Sequence, residues 1–109
     1  MLFSRLKKVI IKIDSKREHI EDFISYHILE KWDSFEKVED IRYAANLAMI
    51  NFVLAFAETQ GLPAEQVPQN VREKIAKATT KVEKKLNKTL QKQLTKKSKL
   101  YQKNNKGNN

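Results

Sequence analysis

Residues 43–57, YAANLAMINFVLAFA, lie between Arg42 and Glu58 without a single charge, and only Asn46 and Asn51 interrupt the apolar run. Any fold for this chain has to accommodate a helix with almost no polar side. Its start is legible in Asp33-Ser34-Phe35-Glu36, an N-cap aspartate with glutamate at the N3 position, followed by Glu39 and Asp40 near the positive end of the helix dipole. Its stop is Gly61, suited to the left-handed residue after a helix, with Pro63 forbidding continuation. The predicted helix covers residues 34–60, about 40 Å at 1.5 Å per residue. A membrane span needs roughly 20 apolar residues; this run is shorter, and its two asparagines point about 140° apart at 3.6 residues per turn. Burial on several sides fits better. In a bundle of three helices one apolar face is left in excess. The alanines allow close approach of another helix, so the sequence predicts self-association or a protein partner through Ala45, Ala48, Met49, Phe52 and Phe56.

Two further helices are expected, at about residues 2–31 and 69–99. Leu2, Leu6, Val9, Ile13, Ile20, Ile24, His27 and Ile28 share one face of the first, within which Ser15-Lys16-Arg17-Glu18 reads as a capping box. The apolar phase survives across Ser15, so the first segment is one helix or two, and the bundle has three helices or four. Val71, Ile75, Ala78, Val82 and Leu86 form the stripe of the last helix; Leu90 and Leu94 follow in steps of four and drift off it. With two glycines, two prolines and no cysteine, the composition suits an all-α antiparallel bundle and excludes disulfides and thiolate chemistry. Residues 1–100 are read as the bundle and residues 101–109, ending NNKGNN, as a disordered basic tail.

Net charge is +9 and unevenly spread. Residues 1–17 carry six Lys/Arg and one Asp, residues 18–60 three against nine acids, and residues 61–109 thirteen against three. On a helical wheel Lys74, Lys77, Lys81, Lys84, Lys85, Lys88, Lys92, Lys96, Lys99 and Lys103 fall within one arc of about 120°, with Glu83 on the other side. Such an edge, about 45 Å long if helical throughout, suits a phosphate backbone, where each neutralised phosphate releases counterions. Lysine is a point charge and serves backbone attraction better than base reading. The candidate polyanion contacts are Lys77, Lys81, Lys84, Lys85, Lys88, Lys92, Lys96 and Lys99. The competing readings are a solvated face, pairing with the acidic middle of the chain, and a membrane surface. Tyr101 is the one aromatic residue near the lysines, which argues against a platform for stacking single strands.

Enzyme chemistry finds little support. His19 and His27 have neither Glu-x-x-His nor His-x-x-x-His spacing, so no metal and no cofactor is expected. There is no glycine-rich phosphate loop and no nucleophile elbow. Glu39, Arg42 and Asn46 share a face and suggest a structural polar cluster at a helix junction. Glu18-x-x-Glu21 and Glu36-x-x-Glu39 place two acidic pairs on neighbouring helices, where four carboxylates could hold Mg²⁺. In this pattern, with the apolar segment, glycine turn and third helix that follow, residues 18–78 resemble the MazG-like all-α nucleotide pyrophosphohydrolases. The resemblance implies Mg²⁺-dependent pyrophosphate release. Glu39 stands where that family has Asp, and Glu18 and Glu21 point away from the apolar stripe, as a solvated acidic face would. The preferred expectation is a non-enzymatic, self-associating binding protein that contacts nucleic acid or another polyanion. The alternative is a protein–protein adaptor, inhibitor or assembly protein with no nucleic-acid role. No secretory or lipidation signal is read at the start, so the expected location is the cytoplasm.

Overall fold

A computed structural model describes residues 12–107, with side chains up to Lys97. Among the described residues three helices carry the fold: α1 (Arg17–Leu29), α2 (Val38–Gln60) and α3 (Gln69–Gly107). Short 3-10 turns at Trp32–Ser34 and Ala64–Gln66 lie between them, and no strand occurs among the described residues. Each helix packs on the other two. Glu21 lies beside Lys81, and Leu29 lines the same cleft as Leu86, so α1 and α3 run in the same direction. Arg42 lies beside Glu83 while Val53 lines a groove with Ile75, so α2 runs against both.

The helix starts differ from the sequence expectation. Residues 12–16 are not helical, and α1 begins at Arg17 after Lys16 in an extended conformation. Asp14, rather than Ser15, organises this start. Its carboxylate accepts the Lys16 N–H at 2.9 Å and contacts His19 Nδ1 at 2.7 Å. The Lys16 N–H, aided by His19, holds the Asp14 carboxyl below its ordinary range. The expected helical residues Leu2, Leu6 and Val9 lie outside the described residues.

Helix α2 starts at Val38, four residues later than expected, because Trp32-Asp33-Ser34 closes a 3-10 turn instead. Ser34 Oγ donates to the Lys31 carbonyl at 2.6 Å, so the capping signature at Asp33 is spent on a local turn. Lys37 has no side-chain acceptor to offer the first turn. Asp40, at N3, supplies the return half of a capping box by accepting the N–H groups of Glu36 (2.9 Å) and Lys37 (3.2 Å). At the other end Gly61 is left-handed (φ 67°), with Gly61 N–H on Glu58 O and Leu62 N–H on Ala57 O, a Schellman ending. The Pro68 carbonyl accepts from Val71 and Arg72 as α3 begins. Arg72 fastens the connector to α3, donating from Nε to Val67 O (3.1 Å) and from Nη2 to Ala64 O (2.5 Å). Helix α3 continues past Lys99 to Gly107, with no proline to stop it.

The core joins Ile20, Phe23, Ile24 and Ile28 of α1, the Ile41-to-Ala57 face of α2, and Val71, Ile75, Ala78, Val82 and Leu90 of α3. Phe52 sits at its centre, edge-on to Phe23 at 5.2 Å and stacked with Phe56 at 6.3 Å. Leu90 is buried although its position drifts off the earlier stripe. The Trp32 indole donates to Gln93 at 3.2 Å, which brings the Trp32 turn to this level of α3 and extends the core along it. His27 is a boundary residue, its ring 4.3 Å from Phe23 and its Nδ1 3.9 Å from Glu30.

Thr79 is buried and satisfied by the Ile75 carbonyl at 2.7 Å. Asn87 is not: its Oδ1 is buried without a partner among the described residues. Replacing it by an apolar residue of similar size removes the desolvation cost and improves helix propensity. Asn87→Leu is therefore expected to stabilise the fold by about 1 kcal/mol, raising the melting temperature by roughly 4–8 °C. A lower melting temperature in circular dichroism would mean that the carbonyl has a partner worth more than its burial costs.

Candidate functional site

The lysine edge arises from the way α3 meets its neighbours. Core residues on α3 advance by nearly four positions at a time, more than the 3.6 residues of a turn. The core-facing line therefore rotates by roughly 120° between Val82 and Leu94. It starts beside the lysine arc and ends almost opposite it.

This rotation divides the lysines. In the first half they border α1. Lys81 Nζ lies 3.1 Å from Glu21 Oε1, and Lys81 and Lys85 line one cleft with Glu18, Glu21 and Asp22. Lys74 lines another with Ser15, Arg17 and Glu18. The partner of the basic edge is thus the acidic face of α1. The pair is exposed on its lysine side and worth at most about 1 kcal/mol, but the cluster neutralises this stretch.

In the second half Lys84, Lys88, Lys92 and Lys96 are exposed and have no ion-pair partner among the described residues. From Lys84 to Asn109 the sequence contains no acid at all. Lys88, Lys92 and Lys96 border a shallow surface hollow with Gln91 and Thr95. They recur every four residues, about 6 Å apart along the axis. Lys77, between Lys74 and Lys81, is exposed. Lys99 lies on α3 beyond the described side chains.

The residues expected to mediate association are placed elsewhere. Ala45, Ala48, Phe52 and Phe56 are buried inside the chain's own core, and Met49 is half-buried at its edge. Their packing surface is already occupied by α1 and α3. The apolar residues that α2 leaves exposed are Tyr43 (72%), Leu47 (38%), Ile50 (52%) and Leu54 (52%), on the opposite side. Beside them, Met49, Ile50, Val53 and Leu54 form a groove of about 440 Å³ with Ala64, Glu65, Arg72 and Ile75.

The acidic pairs do not converge. Glu21 is engaged with Lys81, and Glu36 lies ahead of α2, not on it, so the second pair does not share a helix face. Among the described residues no group of three or more His, Asp or Glu could hold a metal ion. Glu39, Arg42 and Asn46 are all exposed, and Arg42 reaches Glu83 of α3 at 4.0 Å instead of joining a junction cluster. No described helix is long and apolar enough to cross a membrane.

Compared with known proteins, the chain matches no family profile, no curated sequence and no solved structure. The MazG-like resemblance therefore rests on sequence pattern alone, and among the described residues the fold does not bring its two acidic pairs together. What remains as a candidate site is the lysine edge from Lys84 to Lys96.

Proposed function

We propose that this is a non-enzymatic helical binding protein whose α3 lysine edge contacts the phosphate backbone of nucleic acid. One observation carries the reading. Lys84, Lys88, Lys92 and Lys96 form an exposed row with no acid paired to it among the described residues, whereas Lys74, Lys81 and Lys85 border the carboxylates of α1. A cationic row used only for solvation would need no such segregation. Lysine point charges favour backbone contact without base reading, and duplex is the better fit because residues 84–97 include no aromatic residue to interleave with the lysines for stacking. A cytoplasmic setting belongs to the same reading.

The test is a fluorescence titration against short duplexes between about 50 mM and 200 mM salt. If four lysines each displace a counterion, log K falls with log salt at a slope of about −3.6. Absence of binding at the lower salt would retire the proposal.

The exposed Tyr43, Ile50 and Leu54 favour a second reading, a protein–protein adaptor or assembly protein in which the lysines serve only to keep the chain dispersed. It predicts no salt-dependent nucleic-acid binding.

A further inference from the structure

The exposed apolar residues of α2 are spaced 4-3-4: Tyr43, Leu47, Ile50, Leu54. This is the a/d spacing of a coiled-coil seam, and it lies opposite the face that α2 presents to α1 and α3. We propose that the occupant of this seam is a second copy of the chain, packed through α2 in antiparallel orientation about a two-fold axis between Leu47 and Ile50.

Three observations lead to a second copy. First, the chain carries a net charge of +9, so two copies repel wherever lysines meet, yet residues 43–57 hold no charge at all. The seam is flanked by the exposed amides Asn46 and Asn51, which can donate to and accept from their own counterparts. Second, the pattern is self-complementary when reversed. In an antiparallel pair a positions meet d positions, so Tyr43 faces Leu54 of the other copy and Leu47 faces its Ile50, giving four closed layers. Third, the groove beside Leu54 is lined by Ala64, Glu65 and Arg72, and reversal brings the other copy's Tyr43 to that groove. There the apolar ring is covered while its hydroxyl meets polar side chains. A parallel pair would set Tyr43 against Tyr43 and leave the groove empty.

Four layers make a short interface, so association is expected at about 10–100 µM. Sedimentation equilibrium of the full chain should show a mass rising toward twice 12.8 kDa over that range. Ile50→Glu should weaken dimerisation about a hundredfold while leaving the circular dichroism spectrum unchanged, because Ile50 is half exposed in the single chain. Orientation is read separately, since the chain has no cysteine of its own. Under mild oxidation the double variant Tyr43→Cys/Leu54→Cys should form a disulfide-linked dimer. Tyr43→Cys alone should not, as its two copies would be about 16 Å apart along the axis. A mass of 12.8 kDa at the highest attainable concentration, or a dimer insensitive to Ile50→Glu, overturns the proposal and leaves the seam to a different protein. Linkage by Tyr43→Cys alone overturns the antiparallel arrangement. None of these readouts depends on nucleic-acid binding, so this inference and the lysine-edge reading fail independently.

Discussion

Phe52→Ala is expected to cost about 3–5 kcal/mol, the range for removing a fully buried aromatic side chain. A domain of this size has a total stability of roughly 5–15 kcal/mol, so the variant should lie near the edge of folding. The reason for so large an effect is the make-up of the core. On α2 four of the buried positions are Ala44, Ala45, Ala48 and Ala57, which allow close approach of the neighbouring helices but fill little volume. Phe52 is fully buried in the core, and Phe23 of α1 and Phe56 lean on its ring. Ala48, one turn away on the same face of α2, has no side chain long enough to collapse into the void. Urea denaturation followed by helical circular dichroism measures the loss, with Leu54→Ala, at a half-exposed position, expected within about 0.5 kcal/mol of the parent. The same pair distinguishes core from interface. If Phe52 served association instead of the core, its truncation would alter mass and leave the urea midpoint in place.

Equal removal of charge from the two halves of the lysine edge should have unequal consequences for nucleic acid. Lys84/Lys88/Lys92→Gln removes three unanswered cations and is expected to lower affinity for a short duplex about a hundredfold at low salt. The salt slope should fall by about 2.7, close to one ion per lysine. Lys74/Lys81/Lys85→Gln removes the same net charge from residues that border the acids of α1. Its effect should stay within about threefold, since those cations are already offset where they sit. Equal losses in the two variants would mean that only net charge matters and that the row from Lys84 to Lys96 is no special surface. Both variants keep the apolar face of α3, so their melting curves serve as the control for folding.

How much of this could be read from residues alone varies along the chain. Gly61 and Pro63 are strong local signals, and the left-handed ending is where they call for it, because the conformation demanded there depends on the residue itself. The capping signatures at Ser15 and Asp33 were weaker guides. A side chain that can cap a helix can equally close a turn, and Ser34 and Asp14 do so, with Lys16 and Asp40 helping to set the actual starts. Phe23 and Trp32 carry much of the aromatic packing, but no periodic stripe marked them: Phe23 lies at the edge of the α1 face and Trp32 on a turn.

The sequence by itself determined a helical chain, the end of its apolar helix at Gly61, and the alignment of the lysines on one edge of the last helix. Each follows from local conformational preference or from periodicity along a single helix. Tertiary structure alone decided which side of α2 is buried. A helix that is apolar nearly all round has no preferred inward face, and Phe52 and Ile50 are equivalent until neighbours choose between them. Tertiary structure also decided which lysines remain free. The pairing of Lys81 with Glu21 joins residues sixty positions apart, and the rotation of the α3 contact line depends on where α1 stops and the Trp32 turn takes over. Periodicity along one helix holds no information about the length of another.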